Sequence, residues 1–405
     1  MSDKVQLPSD ADASGRDLGE EELALVRQAL ESGTLTSTKG TMVSRLEKEF
    51  AARYGLKHAH ACTSGSAAVH VALSVLDNEP GDEVITSPIT DMGALTPIIY
   101  QGAVPIFCDV DPDSYNVTAE TIEPRITPRT RAVIVTHLFG APCDMGPIME
   151  LCDSKGIPVI EDCAQAFEAK YRGRPVGTFG KAGCFSLQQG KHMTTGEGGV
   201  VATNDDDWGR HMFLFINKAW GYGDAKPDHY FLAPNYRMNE LTGAVALAQL
   251  EKLSSVVRRR QMAARRFARA IADIPGISPQ SQPPDSEHVH WKFCVNVDEA
   301  KTGASLNDIA AFLRESGIFA APRYVGKPAF ECQIFREQKT FGSSRWPYTD
   351  PSRNGLPPVD HDRQNFPGAV KALAQILVIP WNERYTDEHV DYIAQRLRQV
   401  AAART

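Results

Sequence analysis

One lysine stands out for its setting. In Gly183-Cys-Phe-Ser-Leu-Gln-Gln-Gly-Lys-His-Met-Thr-Thr-Gly-Glu-Gly-Gly199, Lys191 lies a few residues past an apolar, strand-like run, after Ser186 and before a glycine-rich turn. Such a placement presents one amine to a small bound molecule, as nucleophile or base; taken alone it also fits a surface lysine ahead of a hairpin. Asp162 follows the apolar run Pro158-Val-Ile160, so its carboxylate is expected at the carboxyl end of a buried strand, with Glu161 on the opposite face. Gly65 and Ser66, within Thr63-Ser-Gly-Ser66, stand where a helix begins. Free N–H groups and the positive end of a helix dipole bind phosphate there, although the same residues also serve as a plain cap. His137 ends the run Ala132-Val-Ile-Val-Thr-His137 at the same strand edge as Asp162 and is expected to be a structural histidine, as His192 is expected to be a loop residue.

These residues need a scaffold that brings distant segments together, and the pattern around them supplies one. From His58 to about Arg210, short runs apolar on both faces (Glu83–Ile85, Val104–Cys108, Ala132–Thr136, Pro158–Ile160) alternate with helical stretches such as Ala67–Leu76 and Met145–Ser154. Strands alternating with crossover helices predict an α/β layered domain with a mostly parallel sheet, whose ligands sit at the carboxyl ends of the strands. Helices are predicted over Leu18–Ser32, Met42–Tyr54 and Asn239–Arg269, the last bridging to a smaller C-terminal α+β domain that contains the strand Trp291–Val297 and the helices Leu306–Ser316 and Asp387–Ala402. The expected division is a loosely held tail over 1–17, a large domain over 18–255 and a small one over 256–405. Phe335–Gly368 is aromatic, proline-rich and aperiodic, which suits a substrate-covering segment or an interface loop.

The segments Thr63-Ser-Gly-Ser-Ala-Ala68, Glu161-Asp-Cys-Ala-Gln-Ala166 and the Lys191 stretch occur in that order, together with Gly81-Asp-Glu-Val84, Gly177-Thr-Phe-Gly180, Gly196-Glu-Gly-Gly199 and Asn235-Tyr-Arg-Met238. From about Leu35 to Tyr385 the chain thereby resembles the DegT/DnrJ/EryC1/StrS family of sugar and aminocyclitol aminotransferases. The resemblance implies fold type I and the cofactor pyridoxal 5′-phosphate (PLP). It implies that Lys191 bonds the cofactor's carbonyl and then moves protons, while Asp162 keeps the pyridine nitrogen protonated. Gln165 would lie beside the phenolic oxygen, with Gly65, Ser66 and Ser186 on the phosphate. Asn235 would reach that phosphate from a second subunit, making the active unit a homodimer with shared sites. Where many members stack an aromatic residue on the ring, this chain has Asp91 or Met92, and Met92 is expected to cover the ring with its thioether.

The implied activity is transfer of an amino group from L-glutamate or L-glutamine to a keto sugar or keto-cyclitol, in amino-sugar, aminocyclitol or antibiotic biosynthesis, with Arg237 or Arg323 as candidates for the donor's carboxylate. The alternatives are a PLP enzyme that dehydrates or aromatises a cyclic aminopolyol and, more distantly, a non-catalytic PLP-binding regulator. Composition agrees with a globular enzyme: 405 residues, 42% of them hydrophobic, suffice for two domains. A net charge of −7 without a long Lys/Arg run argues against nucleic acid, the basic Arg258–Arg260 run reading as a solvated helix face. The absence of a signal sequence or an apolar span near 18 residues makes a cytoplasmic, non-membrane protein the expectation. The eight cysteines lack Cys-x-x-Cys spacing, so neither metal nor disulfide is expected of them.

Overall fold

Two of the three sheets among the described residues organise the chain, and the computed structural model describes residues 4–402 of it. The larger sheet has seven strands. They are β1 (His58–Cys62), β2 (Glu83–Thr86), β3 (Val104–Phe107), β4 (Thr130–Thr136), β5 (Val159–Asp162), β6 (Ala182–Ser186) and β7 (Gly199–Thr203). Their spatial order is β1-β7-β6-β5-β4-β2-β3. Pairing is parallel from β3 through β6, and only β7 runs against its neighbours β6 and β1. β5, β6 and β7 are buried along their whole length, as the strands of a sheet covered on both faces must be. The carboxyl ends of β1, β2, β4, β5 and β6 therefore lie along one edge, and β1, β2, β5 and β6 each lead directly into a loop that carries a predicted site residue.

The helix Glu240–Ile271 couples this sheet to the smaller one. Leu247, Leu250 and Leu253 pack with Phe185 and Leu187 of the lysine segment, whereas Ala264, Phe267 and Ile271, further along, belong to the core of the C-terminal part. The expected division at 255/256 falls inside this helix, close to where its buried face passes from one core to the other. The second sheet consists of β8 (Ile277–Pro279), β9 (Lys292–Val297), β10 (Ala321–Pro322) and β11 (Ile376–Pro380) in the order β8-β9-β11-β10, all antiparallel. All eight cysteines carry free thiols.

Two expectations need correction. The segment before the first helix is no loose tail from residue 4 onward: Val5 and Leu7 pack on the C-terminal core, and Arg16 is buried; Met1–Asp3 lie outside the described residues. The aromatic stretch in Phe335–Gly368 does not cover the site edge at its centre. Arg353 bonds the Gly81 carbonyl and Glu83 at the amino end of β2, and the Trp346 ring lies against Gly102, just ahead of β3.

Candidate active site

A cavity of about 370 Å³ opens at the carboxyl edge between β1, β5 and β6, within the range of roughly 300–1,000 Å³ usual for small-molecule sites. Lys191 and Asp162 both line it. So do Gly65, Ser66, Gln165 and Ser186, so the structure brings these sequence-predicted residues into one place.

Each wall has a local cause. At the first, Ser64 caps the helix Gly65–Ser74, its hydroxyl accepting the Ala67 N–H at 3.0 Å. The N–H groups of Gly65 and Ser66 precede any carbonyl able to receive them within the helix, so they face the cavity with the helix dipole behind them. Only glycine fits at 65: a Cβ there would sit 2.6 Å from the Ser186 Cβ. The helix start and the end of β6 thus close on each other, bringing the Ser186 hydroxyl beside the free amides.

Asp162 is the last residue of β5 and is buried. Burial pushes its carboxyl above the ordinary value, while the Ala164 N–H, at 3.0 Å, and the Lys191 charge pull it back. Glu161 points to the other face of β5, where it receives the N–H groups of Gly177, Phe179 and Gly180, each at 2.7 Å. His137 is structural as expected: its Nδ1 accepts the Cys143 N–H, which leaves Nε2 to donate to Glu161 at 3.1 Å.

Burial draws the Lys191 ammonium down to about 8, opposed by Asp162 and Asp91. Its Nζ lies 4.2 Å from the centre of the Trp291 ring, which therefore forms part of its immediate surroundings. Trp291 is itself held by donating Nε1–H to the Gly190 carbonyl at 2.7 Å. Tyr324 forms the adjoining wall with Gln165, whose side-chain oxygen accepts the Phe139 N–H at 2.6 Å. Phe139 and Tyr324 both occupy the left-handed region (φ 60° and 47°) and their rings meet edge to face, 4.7 Å between centres. Backbone strain of order 1–3 kcal/mol per residue is concentrated here.

Sequence reasoning missed Trp291 and Tyr324, and Glu197, within the Gly196–Gly199 motif, also lines the cavity. Met92 is the opposite case. Asp91 caps the short turn Met92–Ala94 by accepting the Gly93 N–H at 2.8 Å. That geometry leaves Asp91 lining the cavity, whereas Met92 packs against the core and is not part of the lining. The ring cover expected of Met92 therefore has no support. Asn235 is exposed and outside its own chain's cavity, accepting the Arg237 N–H. Neither arginine suggested for a donor carboxylate lines it: Arg323 donates to Asn307 at 2.8 Å, and Arg237 borders a separate cavity of about 240 Å³ with Glu47 and Asn217.

These residues fit PLP. The amine, the buried carboxylate and the free amides at a helix start surround one cavity, and the cradle at Gly65 is narrow enough to exclude a side chain.

The family model for DegT/DnrJ/EryC1/StrS aminotransferases matches residues 16–356. The spore coat polysaccharide biosynthesis protein SpsC of Bacillus subtilis (strain 168) is 32% identical over 393 residues, 95% of each chain. Among solved structures, an aminotransferase from Psychrobacter cryohalolentis has a TM-score of 0.83 at 28% identity, covering 96% of this chain and 98% of that one. 3-Amino-5-hydroxybenzoic acid synthase has a TM-score of 0.84 at 26% identity with the same coverage.

Proposed function

Because the chain belongs to the DegT/DnrJ/EryC1/StrS aminotransferase family and is a PLP-dependent aminotransferase of fold type I, we propose that it moves an amino group from L-glutamate or L-glutamine to the ketone of a sugar or cyclitol. The observation that carries this reading is the meeting of Lys191, Asp162 and the Gly65–Ser66 helix start in one cavity. PLP, when bound, supplies an aldehyde that accepts amines and a ring that withdraws electrons from the adjoining carbon. Lys191 is the residue that bonds it and, once released, carries the proton at the donor's α carbon; an amine held near pH 8 exchanges protons readily at neutral pH. Asp162 holds the ring nitrogen's proton, through a charge-assisted hydrogen bond of about 1.5–3 kcal/mol. Gly65, Ser66 and Ser186 hold the phosphate. Asn235 acts on the partner's site in a homodimer, which agrees with its exposure outside its own cavity.

A sugar acceptor and a biosynthetic role in amino-sugar or secondary metabolism are supported by relatives such as the SpsC protein, named for polysaccharide biosynthesis. A cytoplasmic site of action belongs to the same proposal; among the described residues no helix is long and apolar enough to cross a membrane. The name of 3-amino-5-hydroxybenzoic acid synthase supports a second reading, an enzyme that forms an aromatic amine from a cyclic aminopolyol.

One experiment separates them. The aminated enzyme is offered nucleotide-linked keto sugars and free inososes while the aldehyde absorbance is followed, and the enzyme with its cofactor in the aldehyde form is offered cyclic aminopolyols. Return of that absorbance with an amino sugar or aminocyclitol as product supports the first reading. Release of water and a new aromatic chromophore without consumption of glutamate or glutamine favours the second.

A further inference from the structure

The segment from Ser9 to Asp17 touches the lysine loop from the side away from the cavity. Arg16 Nη1 donates to the Lys191 carbonyl at 2.8 Å, and Gln189 Nε2 donates to the Asp10 carbonyl at 2.9 Å. The Asp10 carboxylate in turn receives Lys292 at 3.0 Å, Arg16 at 3.1 Å, Arg260 at 3.3 Å and the Asn382 amide at 2.6 Å. Arg260, fully buried, also pairs with Glu383 at 2.6 Å and donates to the Trp381 and Trp291 carbonyls. Through these partners one carboxylate ties the lysine loop, the Glu240–Ile271 helix, β9 and the segment just past the end of β11 into a single cluster. Burial by itself would raise the Asp10 carboxyl, yet Arg260, Lys292 and Arg16 together hold it below its ordinary value.

We propose that Asp10 and Arg16 are positioning residues for Lys191, the segment 9–17 acting as a strap that fixes the backbone of the lysine loop. The strap rests on the reading of Lys191 as the reactive amine. It holds that residue from the backbone side while Trp291, anchored on the same cluster through its carbonyl and through its neighbour Lys292, holds it from the ring side. The groups that face the Lys191 amine are Asp162 and Asp91 from the strand-end loops, Lys292 from β9, and Glu197, Tyr324 and Trp291 around the cavity. With the strap cut, none of these is removed, but the loop is free to carry the amine outward into water.

The test uses full-length, cofactor-free protein. Trace acylation followed by peptide mass spectrometry gives the pH midpoint of Lys191 itself, and fluorescence titration gives PLP affinity. Arg16→Met should move the Lys191 midpoint upward by about half a pH unit or more, toward an ordinary lysine, and weaken PLP binding about tenfold. Should that variant fail to fold, Gln189→Ala decides, because it cuts the Asp10 carbonyl tie without stranding a buried charge; the same upward shift is expected. Arg398→Gln, which breaks the exposed Asp273 pair away from the strap, should leave the midpoint in place. Folded Arg16→Met or Gln189→Ala protein with unchanged midpoint and affinity overturns the strap, as does an equal shift in Arg398→Gln. Borohydride reduction of the wild-type holoenzyme separates the two claims: cofactor fixed to another lysine overturns the assignment of Lys191, whereas cofactor on Lys191 with unmoved midpoints overturns the strap alone.

Discussion

The Lys191 amine attacks only when it is unprotonated, so its depressed basicity sets a pH profile. Below about 8 the amine is mostly charged and capture of PLP by cofactor-free protein should slow about tenfold per pH unit; above it the rate should level off. Stopped-flow capture between pH 6 and 10 checks this, and a rate still climbing past about 9.5 would mark an ordinary lysine, whose midpoint is near 10.4. Asp162→Ala should keep the covalent link to the cofactor and lose turnover by about a hundredfold or more, since what goes is the charge at the ring and not the amine. A variant within a few-fold of wild type would move that role to another group. Lys191, Asp162, Gly65 and Ser66 were legible because each leaves a local trace: a strand ending, a glycine run, a helix start. Trp291 and Tyr324 leave none, because they reach the amine only after the chain has passed through the long helix and returned. Met92 was misread because a three-residue turn capped by Asp91 decides which of two adjacent side chains faces the cavity, and that cap is visible only in coordinates.

Among elements, β5 shows how alternation divides labour: Asp162 faces the cavity while its neighbour Glu161 holds the loop after Gly177. Glu161→Ala would leave three N–H groups, one buried and two partly buried, and the buried His137 without their acceptor. A loss of about 3 kcal/mol or more in urea unfolding is expected, and a loss under about 1 kcal/mol would show that water takes over those groups readily. β2 to β5 of the larger sheet were read to within two residues of their ends, since runs apolar on both faces admit little else in an α/β chain. The N-terminal segment was misjudged for the converse reason. Its polar residues look solvated until Arg260, Lys292 and Asn382, all more than two hundred residues away, are seen around Asp10.

For the whole molecule, the homodimer proposal has a sharp consequence. Lys191→Ala and Asn235→Ala proteins, each inactive alone, should on unfolding, mixing and reassembly regain about one quarter of wild-type activity per subunit, because random pairing makes about half the dimers hybrids with one intact site each. Persistent inactivity although hybrids form would mean that Asn235 serves its own chain. The antiparallel pairing of β1 with β7, His58 opposite Thr203, also bears on how the protein comes into being. The strand that leads into the Gly65–Ser66 helix start sits at the sheet's edge, and its sole neighbour in that sheet is made roughly 140 residues later. At about 5–20 residues per second, a ribosome needs some 7–30 seconds to supply it. Until then β1 is an unpaired edge, open to pairing with another nascent chain, and the anion cradle has no floor. A growing polypeptide is therefore unable to trap the vitamin until β7 has been translated, and synthesis of the bulk of the large sheet precedes any help that the bound cofactor gives to folding.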